Sequence, residues 1–133
     1  GIQEIILCGI TPVPPHREIH RTALGATETV TWSYAPKTLD AIKKLKSAGY
    51  TIYALEQAEK TILLQHLKKS VDSRIALVFG NEVNGVNQEV IDHCDGVLEI
   101  PQFGTKHSLN VSVCVGVVLW ECATLMNPAL KAD

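Results

Sequence analysis

No two of the four cysteines, Cys8, Cys94, Cys114 and Cys122, stand in C-x-x-C spacing. They sit mostly inside apolar runs, as reduced core cysteines do, and this points to a cytosolic protein. A long apolar run is also missing. The longest, Val111 to Trp120, is interrupted at Ser112 and Gly116, well short of the roughly 20 residues a spanning helix needs, so no membrane anchor is expected. The first twelve residues, GIQEIILCGITP, carry neither the basic flank nor the cleavage site of a secretory leader. With no initial Met, Gly1 is expected to be a boundary rather than a native start. Nor is there an excess of positive charge. With 12 Lys and Arg against 14 Asp and Glu the formal net charge is -2, so a nucleic-acid partner would need a local basic patch, a second subunit or further sequence.

Several site patterns are absent too. After FGNEVNG, Phe79 to Gly85, the Lys-Ser/Thr of a phosphate-binding loop is replaced by Val86-Asn87, which removes both the phosphate lysine and the magnesium-binding hydroxyl. No G-x-G-x-x-G follows any expected strand, and no G-x-S-x-G elbow is present. His16 and His20 in HREIH are four apart on an expected helix, but Glu18 is out of register for H-E-x-x-H and no third ligand is evident. They read as two solvated histidines, and no metal is expected.

What is present is a 133-residue chain with 46% hydrophobic and 20% charged residues, enough to bury a core and sized for one domain. Short apolar runs alternate with stretches of helical period, which predicts an α/β fold around a mostly parallel sheet flanked by helices. Strands are expected at Glu4 to Ile10, Thr29 to Trp32, Thr51 to Glu56, Arg74 to Gly80 and Val97 to Ile100. Helices are expected from Pro15 to Leu24, Lys37 to Ala48 and Asn87 to His93, with the segment from Gln57 to Ser73 ambiguous.

Two segments carry candidate chemistry. FGNEVNG leaves a strand at its carboxyl end, where ligands bind in open α/β sheets; the plain alternative is a polar turn whose Glu82 caps the next helix. GTKHSLNVSVCVGVVLWE, Gly104 to Glu121, opens polar and continues apolar on every face. Ser108 is the expected N-cap. Asn110, read as lying inside the first turn, then needs partners of its own. Ser112 and Gly116 lie four apart, where another backbone could approach. The surrounding valines, with Leu119 and Trp120, call for a second covering helix, plausibly from another subunit.

LVFGNEVNGV (Leu77 to Val86) followed by IPQFGTKHSLNVSVCVGVVLWE (Ile100 to Glu121) resembles the second and third signature motifs of the SpoU/TrmH RNA ribose 2′-O-methyltransferases of the SPOUT superfamily. GITPVPP, TALGATETV and YTIYALEQ resemble family segments in the same order, with Gln102 standing where an apolar residue such as Met is more usual. The resemblance implies a C-terminal deep trefoil knot, a rare exception to unthreaded topology. It also implies a homodimer through that knot and the C-terminal helix, and a transfer or ribosomal RNA substrate. S-adenosylmethionine would be held by the backbone of Leu55, Gly80, Ile100 and Leu109. Glu82, Ser108 and Asn110 would supply the motif carboxylate, hydroxyl and amide. Residues 1–133 are then expected to form one SPOUT-type domain lacking the family's first strand and its first motif, whose arginine is the residue usually proposed to activate the hydroxyl. That role is not transferred to Arg21. A knotted RNA-binding or assembly module without catalysis is the alternative.

Overall fold

The computed structural model describes residues 1–67, 74–105 and 108–131. The chain divides into two compact units, Gly1–Lys44 and Leu45–Asp133.

In the first unit, β1 (Ile5–Cys8) pairs in parallel with β2 (Trp32–Ala35), with Ile5 opposite Trp32 and Cys8 opposite Ala35. Tyr34 donates its hydroxyl to the Gly9 carbonyl at 2.8 Å and ties the end of the pair. Helix α1 (Arg17–Ala23) ends at Leu24, and a single 3-10 turn, Ala26–Glu28, follows. That turn displaces the second strand from its expected place at Thr29 to Trp32. The N–H groups of Glu28, Thr29 and Val30 bond back to Gly25 and Ala26 carbonyls, so these residues are not free to join a ladder. Arg21 pairs with Glu18 at 2.5 Å within α1.

Helix α2 (Thr38–Ser47) runs across the division, with Ile42 buried and Lys43 and Lys44 exposed, as its period predicts. The second unit holds a four-stranded parallel sheet of β3 (Thr51–Leu55), β4 (Ile62–Leu63), β5 (Ile75–Phe79) and β6 (Gly96–Glu99), in the order β4-β6-β3-β5. Flanked on both edges, β3 is the innermost apolar run, and Ile52 and Ala54 are fully buried. The ambiguous segment supplies the two-residue strand β4 and the 3-10 turn Leu64–His66; its residues 68–73 lie outside the described residues. Tyr53, Leu55, Leu64, Leu67 and Leu98 form the core with Val118 and Cys122 of the last helix, α4 (Val111–Met126).

Asp95 opens β6 and holds the start of β3. Its carboxylate accepts the Ile52 N–H at 2.8 Å and faces the Lys46 ammonium at 3.0 Å. Burial opposes the charge, but the Ile52 N–H and Lys46 outweigh it and hold the carboxyl below its ordinary value. The folded chain then binds this proton less readily than the unfolded chain. The stabilisation is present above the unfolded carboxyl value and lost as pH falls through the lower folded one. Asp95→Asn is expected to lower the unfolding free energy by about 0.5–1 kcal/mol at pH 7. In urea titrations the gap should close below about pH 4, and an equal gap at pH 3 and pH 7 would contradict this account.

Candidate active site

The carboxyl ends of β3, β5 and β6 open on a cleft of about 600 Å³ in the second unit, within the range of small-molecule sites. All seven residues singled out in the sequence line it: Leu55 at the end of β3, Gly80 and Glu82 after β5, Ile100 after β6, and Ser108, Leu109 and Asn110 before α4. Lys106 and His107, in the same polar entry, lie outside the described residues.

Backbone proximity builds the FGNEVNG loop. Gly85, at φ +62°, donates its N–H to the Asn81 carbonyl at 3.0 Å. The Asn81 Oδ1 accepts the N–H groups of Val83 at 2.9 Å and Asn84 at 2.8 Å. This is the side-chain-supported turn that Asn favours. The loop folds back onto Gly80 so closely that a Cβ there would lie 2.0 Å from the Gly85 carbonyl carbon and 2.4 Å from the Val86 nitrogen. Glycine at this position is a steric requirement. Glu82 is exposed at the loop and does not cap the following helix, α3 (Gln88–His93). The cap is Asn87, whose Oδ1 accepts the Glu89 N–H at 2.9 Å.

The start of α4 also differs from expectation. Its N-cap is Asn110 rather than Ser108: Asn110 Oδ1 accepts the Ser112 N–H at 2.9 Å and the Ser112 hydroxyl at 2.6 Å. Asn110 therefore sits outside the first turn, with extended backbone, and its side-chain oxygen satisfies a helix-end donor. Ser108 is left exposed at the cleft, and Leu109 is 38% exposed. Gln102 donates to the Ile100 carbonyl at 3.4 Å. Beyond the cap, Val113, Val117 and Trp120 form an exposed apolar stripe, and a Cβ on Gly116 would meet nothing within 4 Å.

The charged side chains lining the cleft are Glu56, Glu82 and Glu99, with no Lys, Arg or His among the described lining residues. Glu99 accepts the Thr61 hydroxyl at 2.6 Å. Burial, and then the Glu56 carboxylate, push the Cys114 thiol up, so it is not an activated thiolate. Glu56 was not among the residues expected at the site. Its place directly after an apolar strand puts it at that strand's carboxyl end, but its partner Val86 is set by the pairing of β3 with β5.

The sequence profile described as the SpoU rRNA Methylase family matches residues 1–120. The chain belongs to this family. Among curated SpoU relatives, a tRNA (guanosine(18)-2′-O)-methyltransferase of Borreliella burgdorferi is 33% identical over 97 residues, covering 73% of this chain and 44% of the relative. The 23S rRNA (guanosine-2′-O-)-methyltransferase RlmB of Neisseria meningitidis is 33% identical over 103 residues, 77% of this chain and 40% of its own length. The chain thus spans less than half of these curated SpoU relatives. Among solved structures, the AdoMet-bound rRNA methyltransferase of Sinorhizobium meliloti superposes with a TM-score of 0.83 at 28% identity, covering 92% of this chain and 46% of that one. The A. aeolicus TrmH/SpoU tRNA modifying enzyme, at 22% identity, shares the fold, with a TM-score of 0.84 over 97% of this chain and 64% of that one.

Proposed function

We propose that this SpoU-family chain takes part in S-adenosylmethionine-dependent methyl transfer to a ribose 2′-hydroxyl of transfer or ribosomal RNA. The observation that carries this reading is the convergence of six residues of the two signature motifs, together with Leu55, on one cleft at the carboxyl ends of three parallel strands. The cleft fits the cofactor in two respects. Its inner wall is backbone packed so tightly around Gly80 that only glycine is admitted, as suits recognition by main-chain groups. Its lining is acidic, as suits a sulfonium cation.

Leu55, Gly80, Ile100 and Leu109 would hold the cofactor by their backbone, and Glu82, Ser108 and Asn110 would order the reacting end. When bound, the cofactor supplies a methyl group already made electrophilic by the sulfonium, which leaves positioning and proton removal to the protein. The 2′-hydroxyl identifies the substrate as RNA. The described lining carries no cation, and RNA binding and proton removal would draw also on a partner subunit or on the remainder of a longer protein. The exposed stripe of Val113, Val117 and Trp120 supports pairing of two copies through α4. The trefoil knot is proposed on the resemblance of Leu77 to Val86 and Ile100 to Glu121 to the family's motifs. The free cysteines, Cys8, Cys94, Cys114 and Cys122, accord with a reducing cytoplasm.

Calorimetric titration with S-adenosylmethionine and its demethylated product tests the cofactor half. Binding is expected with the folded chain, and no heat at millimolar ligand would sink the reading. Asn110→Ala is expected to cost about 1 kcal/mol of stability through the lost cap and also to weaken binding several-fold. A loss of stability at unchanged affinity would reduce Asn110 to a cap. Cofactor binding without methyl transfer to bulk RNA by the longer protein would favour a binding or assembly module.

A further inference from the structure

Glu56 belongs to neither signature motif, yet its carboxylate reaches from the end of β3 to the loop leaving β5, two strands paired with Leu55 opposite Phe79. Its Oε2 accepts the Val86 N–H at 3.1 Å, and its Oε1 accepts the N–H of Gln57 at 3.1 Å. Val86 is the residue at which the FGNEVNG loop closes against Gly80. The carboxylate can come this close because Gly85 has no side chain: a Cβ there would lie 2.4 Å from Glu56 Oε2. Asn81 shapes the loop from within, whereas Glu56 holds it from a neighbouring strand.

We propose that Glu56 is a positioning residue of the cofactor cleft, its carboxylate pinning Val86 so that the backbone around Gly80 is set before the cofactor arrives. The inference rests on the cofactor reading above. Preorganising a loop in its bound form raises affinity by removing the cost of ordering it on binding. Glu56 therefore acts through the loop, by accepting a hydrogen bond, and the conservative amide, which keeps one acceptor oxygen for Val86 and leaves the exposed Gln57 N–H to water, should replace it in that bond.

The test combines S-adenosylhomocysteine titration with amide exchange at Val86 in the unliganded chain. Glu56→Ala is expected to weaken binding roughly tenfold and to speed Val86 exchange by a similar factor, while Glu56→Gln stays within about threefold of wild type in both. Gly85→Ala, which drives a methyl group at the same carboxylate, should cost less in the Glu56→Ala background than in wild type. A Glu56→Ala chain with wild-type affinity and unchanged Val86 exchange would overturn the proposal. So would a Glu56→Gln chain as weak as Glu56→Ala, since the charge would then be what matters. If wild type binds no S-adenosylhomocysteine, the cofactor reading fails; Val86 exchange in the same variants then still decides whether Glu56 holds the loop.

Discussion

Gly80→Ala is expected to reduce affinity for S-adenosylhomocysteine roughly a hundredfold, the equivalent of about 2.7 kcal/mol, while leaving the folded core in place. The reason is contact with backbone. The added Cβ would stand 2.0 Å from the Gly85 carbonyl carbon, 2.4 Å from its oxygen and 2.4 Å from the Val86 nitrogen, and none of these atoms can rotate away as a side chain can. The loop must open by more than an ångström. That would pull Val86 from Glu56 and displace the Gly80 backbone from the cleft that it lines. The added Cβ meets backbone of the loop itself, and the core residues Leu64, Leu67 and Val118 lie outside the cleft lining, so circular dichroism and the urea midpoint should change little beside the binding loss. Affinity within threefold of wild type, measured by calorimetry on folded protein, would show that the loop's closure is not needed for the site.

Leu98→Ala is expected to have the largest effect on stability, about 3 kcal/mol and within the 2–5 kcal/mol seen for such truncations. Leu98 is fully buried in β6, between β3 and β4, and packs in the cluster with Tyr53, Leu55, Leu64, Leu67, Val118 and Cys122. The sheet is anchored through its hydrogen-bonded ladder, which prevents the site from collapsing around the lost methyl groups, so most of the cavity should remain. Against a total of roughly 5–15 kcal/mol for a domain of this class, that loss is large. Urea unfolding should show a lowered midpoint at unchanged slope. Leu98→Met, which conserves volume, should cost less than about 1.5 kcal/mol. Equal losses for the two variants would mean that side-chain shape rather than volume dominates at this position.

Most strands were legible because their residues are apolar whichever face they present. TIYALE and RIALVFG read as buried strands in sequence, and β3 and β5 lie within one residue of the expected ends. The second strand was misplaced because Thr29 to Trp32 has strand-forming composition, but its first residues are drawn into the bonds of the preceding 3-10 turn. β4 is not legible in the ambiguous segment because two residues, Ile62 and Leu63, are too few to show any period. The two caps were misassigned for a shared reason. Ser108 is a plausible cap by type, and Glu82 is the alternative for its loop, but a cap is decided by which oxygen reaches an orphan N–H, and Asn110 and Asn87 reach theirs at 2.9 Å.

The sequence by itself determined the α/β alternation, the family through its two motifs, and seven of the residues that line the cleft. The alternation follows from local hydrophobic pattern, and the residue list follows from the resemblance of the motifs to the family. Tertiary structure alone decided how those residues act together. That Gly80 must be glycine depends on where the backbone five residues later returns. That Glu56 belongs to the site depends on β3 and β5 being neighbours, which places residues 56 and 86 within 3.1 Å across 30 positions of chain. Such contacts arise from parallel pairing of distant strands, and no short-range pattern in a single sequence records them.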